Sequence, residues 1–147
     1  MIKKEKTIYG QLHPTWGLPL ITVDIINLNT DKKVENLRAF IDTGASETAI
    51  NRNSLIQLGM REEDFKAGKK MNTHTGEIQV SRAFDVHLIS KELDFYFQTI
   101  PYVLVVDIPD FDIAIGNDVL QNCEFTYNGI NKTYSLKSFQ EEPSFCE

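Results

Sequence analysis

Short runs of alternating apolar and polar residues, broken every few positions by turn formers, fill this 147-residue chain and leave little room for helix. Ile21, Val23 and Ile25 alternate with Thr22 and Asp24, the pattern of a strand with one buried face. The polar stretch 27–35 contains Asn29-Thr30-Asp31 and reads as a turn, after which Leu37 to Ile41 reads as a strand. Phe84, Val86 and Leu88 alternate with Asp85 and His87, and residues 95–99 and 102–106 make two further candidate strands. Val103 to Val106 is apolar on both faces and should be buried on both. Residues 124–127 and 132–136 flank Asn128-Gly129, a strong hairpin signal. Helix is expected only over residues 51–59, started by Asn51, Asn53 or Ser54 and ended by Gly59, and for a short stretch after Gly116. The charged residues 61–70 read as a loop with room for one helical turn. A chain of this kind predicts an all-β fold, a closed, mainly antiparallel barrel with one or two short helices.

The length suits one domain spanning 1–147, with residues 1–8 expected as a flexible N-terminal tail and 138–147 as a C-terminal tail. The tail reading of 1–8 rests on Lys3-Lys4-Glu5-Lys6, the only basic cluster. Acids outnumber bases, 21 to 15, for a formal charge of −6, which argues against nucleic acid or a membrane surface as partner. Cys123 and Cys146 stand far apart and form no disulfide framework; free thiols are expected. His13, His74 and His87 have no ligand spacing, so no metal and no other cofactor is expected. No signal peptide or membrane span is legible, which predicts a cytoplasmic location. The sequon Asn131-Lys132-Thr133 is read as chance.

One stretch asks for more than turn chemistry. In Phe40-Ile41-Asp42-Thr43-Gly44-Ala45-Ser46-Glu47-Thr48-Ala49-Ile50 an acid ends an apolar run and Thr-Gly follows at once. Asp, Thr and Gly are ordinary turn residues, which is the plain reading. A carboxylate at the end of an apolar run is costly unless it is paired or shares a proton, so the other reading is a catalytic Asp42, and the rest of the chain has to decide between the two. Two more features stand downstream. Met71 to Val80 carries a turn around Thr73-His74-Thr75-Gly76 between two extended arms, and Ile113-Ala114-Ile115-Gly116-Asn117-Asp118-Val119-Leu120 is an apolar run into a glycine that opens a helix.

This order of motifs, from about Ile21 to Leu136, resembles the retropepsin-like aspartic proteases, single-domain relatives of retroviral protease and pepsin. The resemblance implies an aspartic endopeptidase in which two carboxylates share one proton. The ionised one activates a water and the protonated one hydrogen-bonds the scissile carbonyl. It implies that Asp42 is catalytic and that Thr43, Gly44, Ala45 and Ser46 support it, the Gly44 N–H facing the carboxylate and the Thr43 hydroxyl bonding a partner loop. Residues 73–76 become a flap over bound peptide, against the plainer reading of a surface hairpin. His74 reads as an exposed loop residue. Ile115, Gly116, Asn117 and Asp118 form the second motif, where Asp118 complements the helix N-terminus. The chain has one Asp-Thr-Gly and a dyad needs two, so the resemblance implies a symmetric homodimer acting on a peptide or protein substrate.

Two departures stand out. Retroviral members carry an acid two residues after the triplet glycine and an arginine after the second-motif glycine; here Ser46 and Asn117 hold those places. Both are neutral, a matched exchange that predicts two side chains within hydrogen-bonding reach or joined by a water. Ala45 replaces the hydroxyl residue usual in pepsin-like members, so the ionised dyad has one donor fewer and a weakly acidic activity optimum is expected. The rival reading is a catalytically silent domain of the same fold, serving dimerisation or peptide binding.

Overall fold

The computed structural model describes residues 3–68, 70–73, 76–90, 95–97 and 100–141. In chain order come strands β1 (Lys3–Gln11), β2 (Leu20–Asn27), β3 (Lys33–Ile41) and β4 (Ala49–Asn51), then helix α1 (Arg52–Gln57) and a single 3₁₀ turn (Glu62–Asp64). Strands β5 (Lys70–Thr73), β6 (Gly76–Gln79), β7 (Ser81–Phe84), β8 (Val86–Ser90), β9 (Phe95–Tyr96), β10 (Tyr102–Val106) and β11 (Ile113–Ile115) follow. Helix α2 (Asn117–Leu120) and the hairpin strands β12 (Cys123–Asn128) and β13 (Thr133–Glu141) complete the chain. None of these helices is long and apolar enough to cross a membrane.

Eight strands form one sheet in the order β7-β10-β4-β11-β3-β2-β8-β9. Its ends are β7 and β9, so the closed barrel expected from the strand pattern is instead an open, curled sheet among the described residues. A separate three-stranded sheet, β1-β13-β12, packs beside it, and β5 and β6 form a hairpin of their own. The main core lies on one face of the large sheet, where Val23, Ile25, Ile50, Ile113 and Ile115 are fully buried beside Leu55 and Leu58 of the α1 region. Burying such a side chain contributes roughly 1.5–3 kcal/mol, so this cluster supplies most of the driving force for folding. A smaller cluster of Ala49, Val80, Leu104 and Ala114 lies apart from it, with Phe40, Tyr102, Val106 and Ile108 packed against it. Val103 and Leu104 are both buried although neighbours on a strand point opposite ways, so β10 is covered on both faces as expected.

Several local expectations change. Residues 3–8, expected as tail, belong to β1, which pairs antiparallel with β13 through nine residue pairs from Lys3↔Glu141 to Gln11↔Thr133. The same pairing takes in residues 138–141 of the expected C-terminal tail. Strand pairing runs through the backbone, so a lysine-rich segment can join once Ile8 and Leu136 are buried. Lys137 Nζ also meets Glu5 Oε1 at 3.2 Å across the pair. Asp24, read as the polar side of an alternating strand, is buried, because the register shifts between Val23 and Ile25. Its Oδ1 accepts the N–H of Asn36 at 2.9 Å, which offsets the cost of burial. The run through Phe84 and Leu88 is two strands, broken at Asp85 with φ 62. β7 buries Ala83 and β8 buries Val86 and Leu88, so the inward face changes parity at the break.

Candidate active site

β11 lies between β3, to which it is parallel, and β4, to which it is antiparallel. The segment joining β3 to β4 must therefore arch over the end of β11, and residues 42–48 are that arch. Asp42 follows directly on Ile41, the last residue of β3, and its backbone N–H donates to Ile115 O at 2.8 Å. The arch then rests on the start of α2. Asn117 N–H donates to Ala45 O at 2.8 Å and Asp118 N–H to Ser46 O at 3.1 Å. The Asn117 side-chain amide donates to Thr43 O at 3.0 Å. Within the arch, Gly44 N–H donates to Asp42 Oδ1 at 3.0 Å. The carboxylate is half-buried, held by the backbone and turned to the surface of one chain.

Two features lock the arch. A Cβ on Gly116 would lie 2.6 Å from Glu47 C, 2.7 Å from Glu47 O and 3.0 Å from Ala45 O, all backbone atoms. Only glycine lets the two segments approach this closely. Beside it, fully buried Thr48 gives its hydroxyl hydrogen to Asp118 Oδ1 at 2.7 Å and its N–H to Asp118 Oδ2 at 2.9 Å. The Thr48 Oγ1 in turn accepts the Gly116 N–H at 3.1 Å. Asp118 Oδ1 also takes the N–H of Val119, so one carboxylate caps its own helix and pins the end of the arch.

Asp42 opens into a cleft of about 340 Å³ with walls of Phe40, Ala49, Leu104, Val106, Ile108 and Ala114 and with Glu47 among its lining residues. The cleft face is the one that carries the smaller apolar cluster, the reverse of the face over the main core. Its rim at residues 108–111 is held by Asn51, whose amide donates to Ile108 O (3.0 Å) and Phe111 O while its Oδ1 accepts the Ile108 N–H. Asn51 occupies the position before α1, yet its side chain makes no capping bond there. The tertiary contact takes it.

A half-buried carboxylate, bonded by its own loop and facing an apolar cleft, is a group able to handle protons on a bound chain. No protein-family model and no curated protein sequence matches the chain. The crystal structure of a retropepsin-like aspartic protease from Rickettsia conorii matches with a TM-score of 0.66, at 16% identity, over 94% of this chain and 95% of that one. The fold is retropepsin-like.

On this retropepsin-like frame, the expected site residues 42–46 and 115–118 come together at one place. Thr43, Gly44, Ser46 and Asn117 are exposed, Ala45 and Asp118 half-buried, and Ile115 and Gly116 buried. Gly44 does direct its N–H at Asp42, but crowding does not demand a glycine, because a Cβ would meet Asp42 Oδ1 at 3.4 Å, an ordinary contact. Ser46 O accepts the N–H of Asp118 rather than of Asn117, and the Asn117 side-chain amide donates to Thr43 O. The expected flap is a hairpin with Thr73 opposite Gly76; His74 and Thr75 lie outside the described residues. Among the described residues no group of His, Cys, Asp and Glu could hold a metal ion. His87, its pKa lowered by burial, sits on β8 opposite Ile26 and takes no part in the cleft. Thr48 and Asn51 carry the site's second layer and escaped sequence reasoning. The one available signal was a threonine and an asparagine bracketing the apolar pair Ala49-Ile50.

Proposed function

We infer that the protein is an aspartic endopeptidase active as a homodimer, each copy contributing one Asp42 to a shared dyad. What carries this reading is the Asp42 carboxylate itself: it ends a buried strand, accepts the Gly44 N–H and opens on an apolar cleft, within a retropepsin-like fold. Two such carboxylates across a two-fold axis cannot both ionise at short range. The charged one takes a proton from a water held between them, and the neutral one donates to the scissile carbonyl as its oxygen gains charge. Thr43, exposed on the outer side of the arch, is the residue a second arch would meet. The apolar walls bind the flanking side chains of an extended peptide and keep water away from the bond. The structure in the Rickettsia crystal is described as a protease, which supports the same chemistry here.

The test is hydrolysis of an unfolded protein and of a random peptide library, with Asp42→Asn alongside and the mass in solution measured by light scattering. Turnover that disappears in Asp42→Asn and tracks a dimer supports the reading. Peptide binding with no cleavage by the native chain replaces it with the silent peptide-binding domain.

A further inference from the structure

Strand registers bring an arginine to the far end of the Asp42 cleft. Arg82 of β7 pairs with Leu104 of β10, Leu104 with Ala49 of β4, Ala49 with Ala114 of β11, and Ala114 with Phe40 of β3. Residues paired directly across strands project from the same face, so these side chains form one row. Leu104, Ala49, Ala114 and Phe40 all line the cleft, and Asp42 follows Phe40 by two residues. The row thus runs from the carboxylate, over a floor made low by two alanines, to a guanidinium one strand beyond Leu104.

Arg82 is held there from three sides. Its N–H donates to Lys66 O and its carbonyl accepts the Lys66 N–H, each at 2.9 Å. A Cβ on Gly68 would collide with Val80 O and lie 3.3 Å from Arg82 Cγ, so backbone packs against the stem of the side chain. The guanidinium carbon lies 4.5 Å from the centre of the Tyr102 ring. Nothing described balances the charge. The side chain is half-buried and its Nε is shielded from water, yet among the described residues no acceptor bonds that N–H and no carboxylate pairs with the group. A shielded donor without an acceptor is costly, and an anion brought from outside removes that cost. Stacking occupies the face of the guanidinium and leaves its N–H edge, which matches a carboxylate through two parallel bonds.

We propose that Arg82 is a specificity-determining residue that binds the carboxylate of an acidic side chain, glutamate or aspartate, in the peptide bound at Asp42. The substrate rests on the peptidase reading; the choice of an acid follows from the unbalanced charge. Register also sets the spacing. Neighbouring strands lie about 4.8 Å apart, so Arg82 stands roughly 19 Å along the sheet from Phe40, about six residues of extended chain. The two long side chains span part of that distance, which puts the acidic residue about four positions from the scissile bond.

The probes are dodecapeptides with leucine-phenylalanine at the centre, alanine and serine elsewhere, and one glutamate, or glutamine in its place, moved stepwise outward. With the native chain, KM should be about tenfold lower for glutamate than for glutamine at one spacing, with kcat unchanged, as a charge-assisted pair implies. The net charge of −6 disfavours acidic peptides in general, so a gain at one spacing is local. Arg82→Gln should abolish the preference and Arg82→Lys should keep part of it. Arg82→Glu should turn it toward lysine at the same spacing, a reversal that a merely structural role does not produce. In the full chain carrying Asp42→Asn, which binds without turnover, calorimetry should find the same preference in Kd. The comparison of glutamate with glutamine peptides needs no variant at Arg82, so a native chain with no preference at any spacing overturns the proposal by itself. A preference that survives in Arg82→Gln overturns it as well. Cleavage without acidic preference keeps the peptidase reading and sinks the subsite, whereas binding that depends on Arg82 in a chain that never cleaves does the reverse. No binding of any peptide removes both.

Discussion

Thr48→Val removes one oxygen atom from the middle of the arch and keeps the shape of the side chain. Two hydrogen bonds go with it, the 2.7 Å bond to Asp118 and the 3.1 Å bond from Gly116 N–H. A bond to a charged acceptor contributes about 1.5–3 kcal/mol net, and an orphaned buried N–H costs about 1–3 kcal/mol. Thr48 and Gly116 are both buried, so water cannot replace the lost partner and the two costs combine. A loss of about 3 kcal/mol is expected, against about 5–15 kcal/mol for a typical domain. With a urea slope near 2 kcal/mol per molar, the unfolding midpoint should fall by about 1.5 M. Thr48→Ser keeps the hydroxyl and gives up one buried methyl, so it should cost only about 1 kcal/mol. Urea titration followed by the single tryptophan reads both variants. A midpoint for Thr48→Val within about 0.3 M of the native chain, or a serine variant as weak as the valine one, would refute the argument that the hydroxyl is what locks the arch.

Gly116→Ala should cost about 3 kcal/mol or cause misfolding, because its Cβ meets only backbone at 2.6–3.0 Å, whereas Gly44→Ala should leave the folding of one chain within about 0.5 kcal/mol. Thermal melts of the two variants check this, and equal effects would count against it. Burial pushes the Tyr134 phenol up to about 12 from its ordinary 10.0, so the folded chain keeps a proton that the unfolded chain loses. Stability linked to that proton is complete below pH 10 and disappears as pH rises toward 12, about 2–3 kcal/mol in all. Tyr134→Phe should flatten this alkaline slope while losing about 1 kcal/mol at neutral pH with the 2.7 Å bond to Leu20 O; an unchanged slope contradicts it. Peptidase activity should be bell-shaped in pH with a weakly acidic optimum, since Ala45 offers no hydroxyl beside Asp42, and activity per chain should fall on dilution. An optimum in strong acid, or a rate indifferent to dilution, argues against those two claims in turn.

What could be read without coordinates was local or repeated. Alternation over 21–25, the apolar run 103–106, glycine after residues 51–58 and the Asn128-Gly129 signal all report on neighbours close in sequence, and β2, β10, α1 and the β12–β13 hairpin follow them. The pairing closes one residue later than the expected 127 and 132: Asn128 pairs with Thr133, and the Asn128 side chain accepts the Asn131 N–H at 3.0 Å within the bend. Asp42 and its Thr-Gly were legible because the chemistry of the arch is written in adjacent positions.

Tertiary structure decided whatever depended on partners far along the chain. Lysine-rich β1 became a strand because β13, more than 120 residues later, offered it a backbone edge. Asp24 turned inward because a register shift brought it to Asn36 N–H. Asn51 gave up its helix-capping role for the 108–111 loop, and Thr48 acquired its role only when Asp118 and Gly116 arrived beside it. In each case the deciding bond joins residues that the sequence keeps apart. A hydrogen-bonding side chain has several possible partners, and its place in the fold selects one of them.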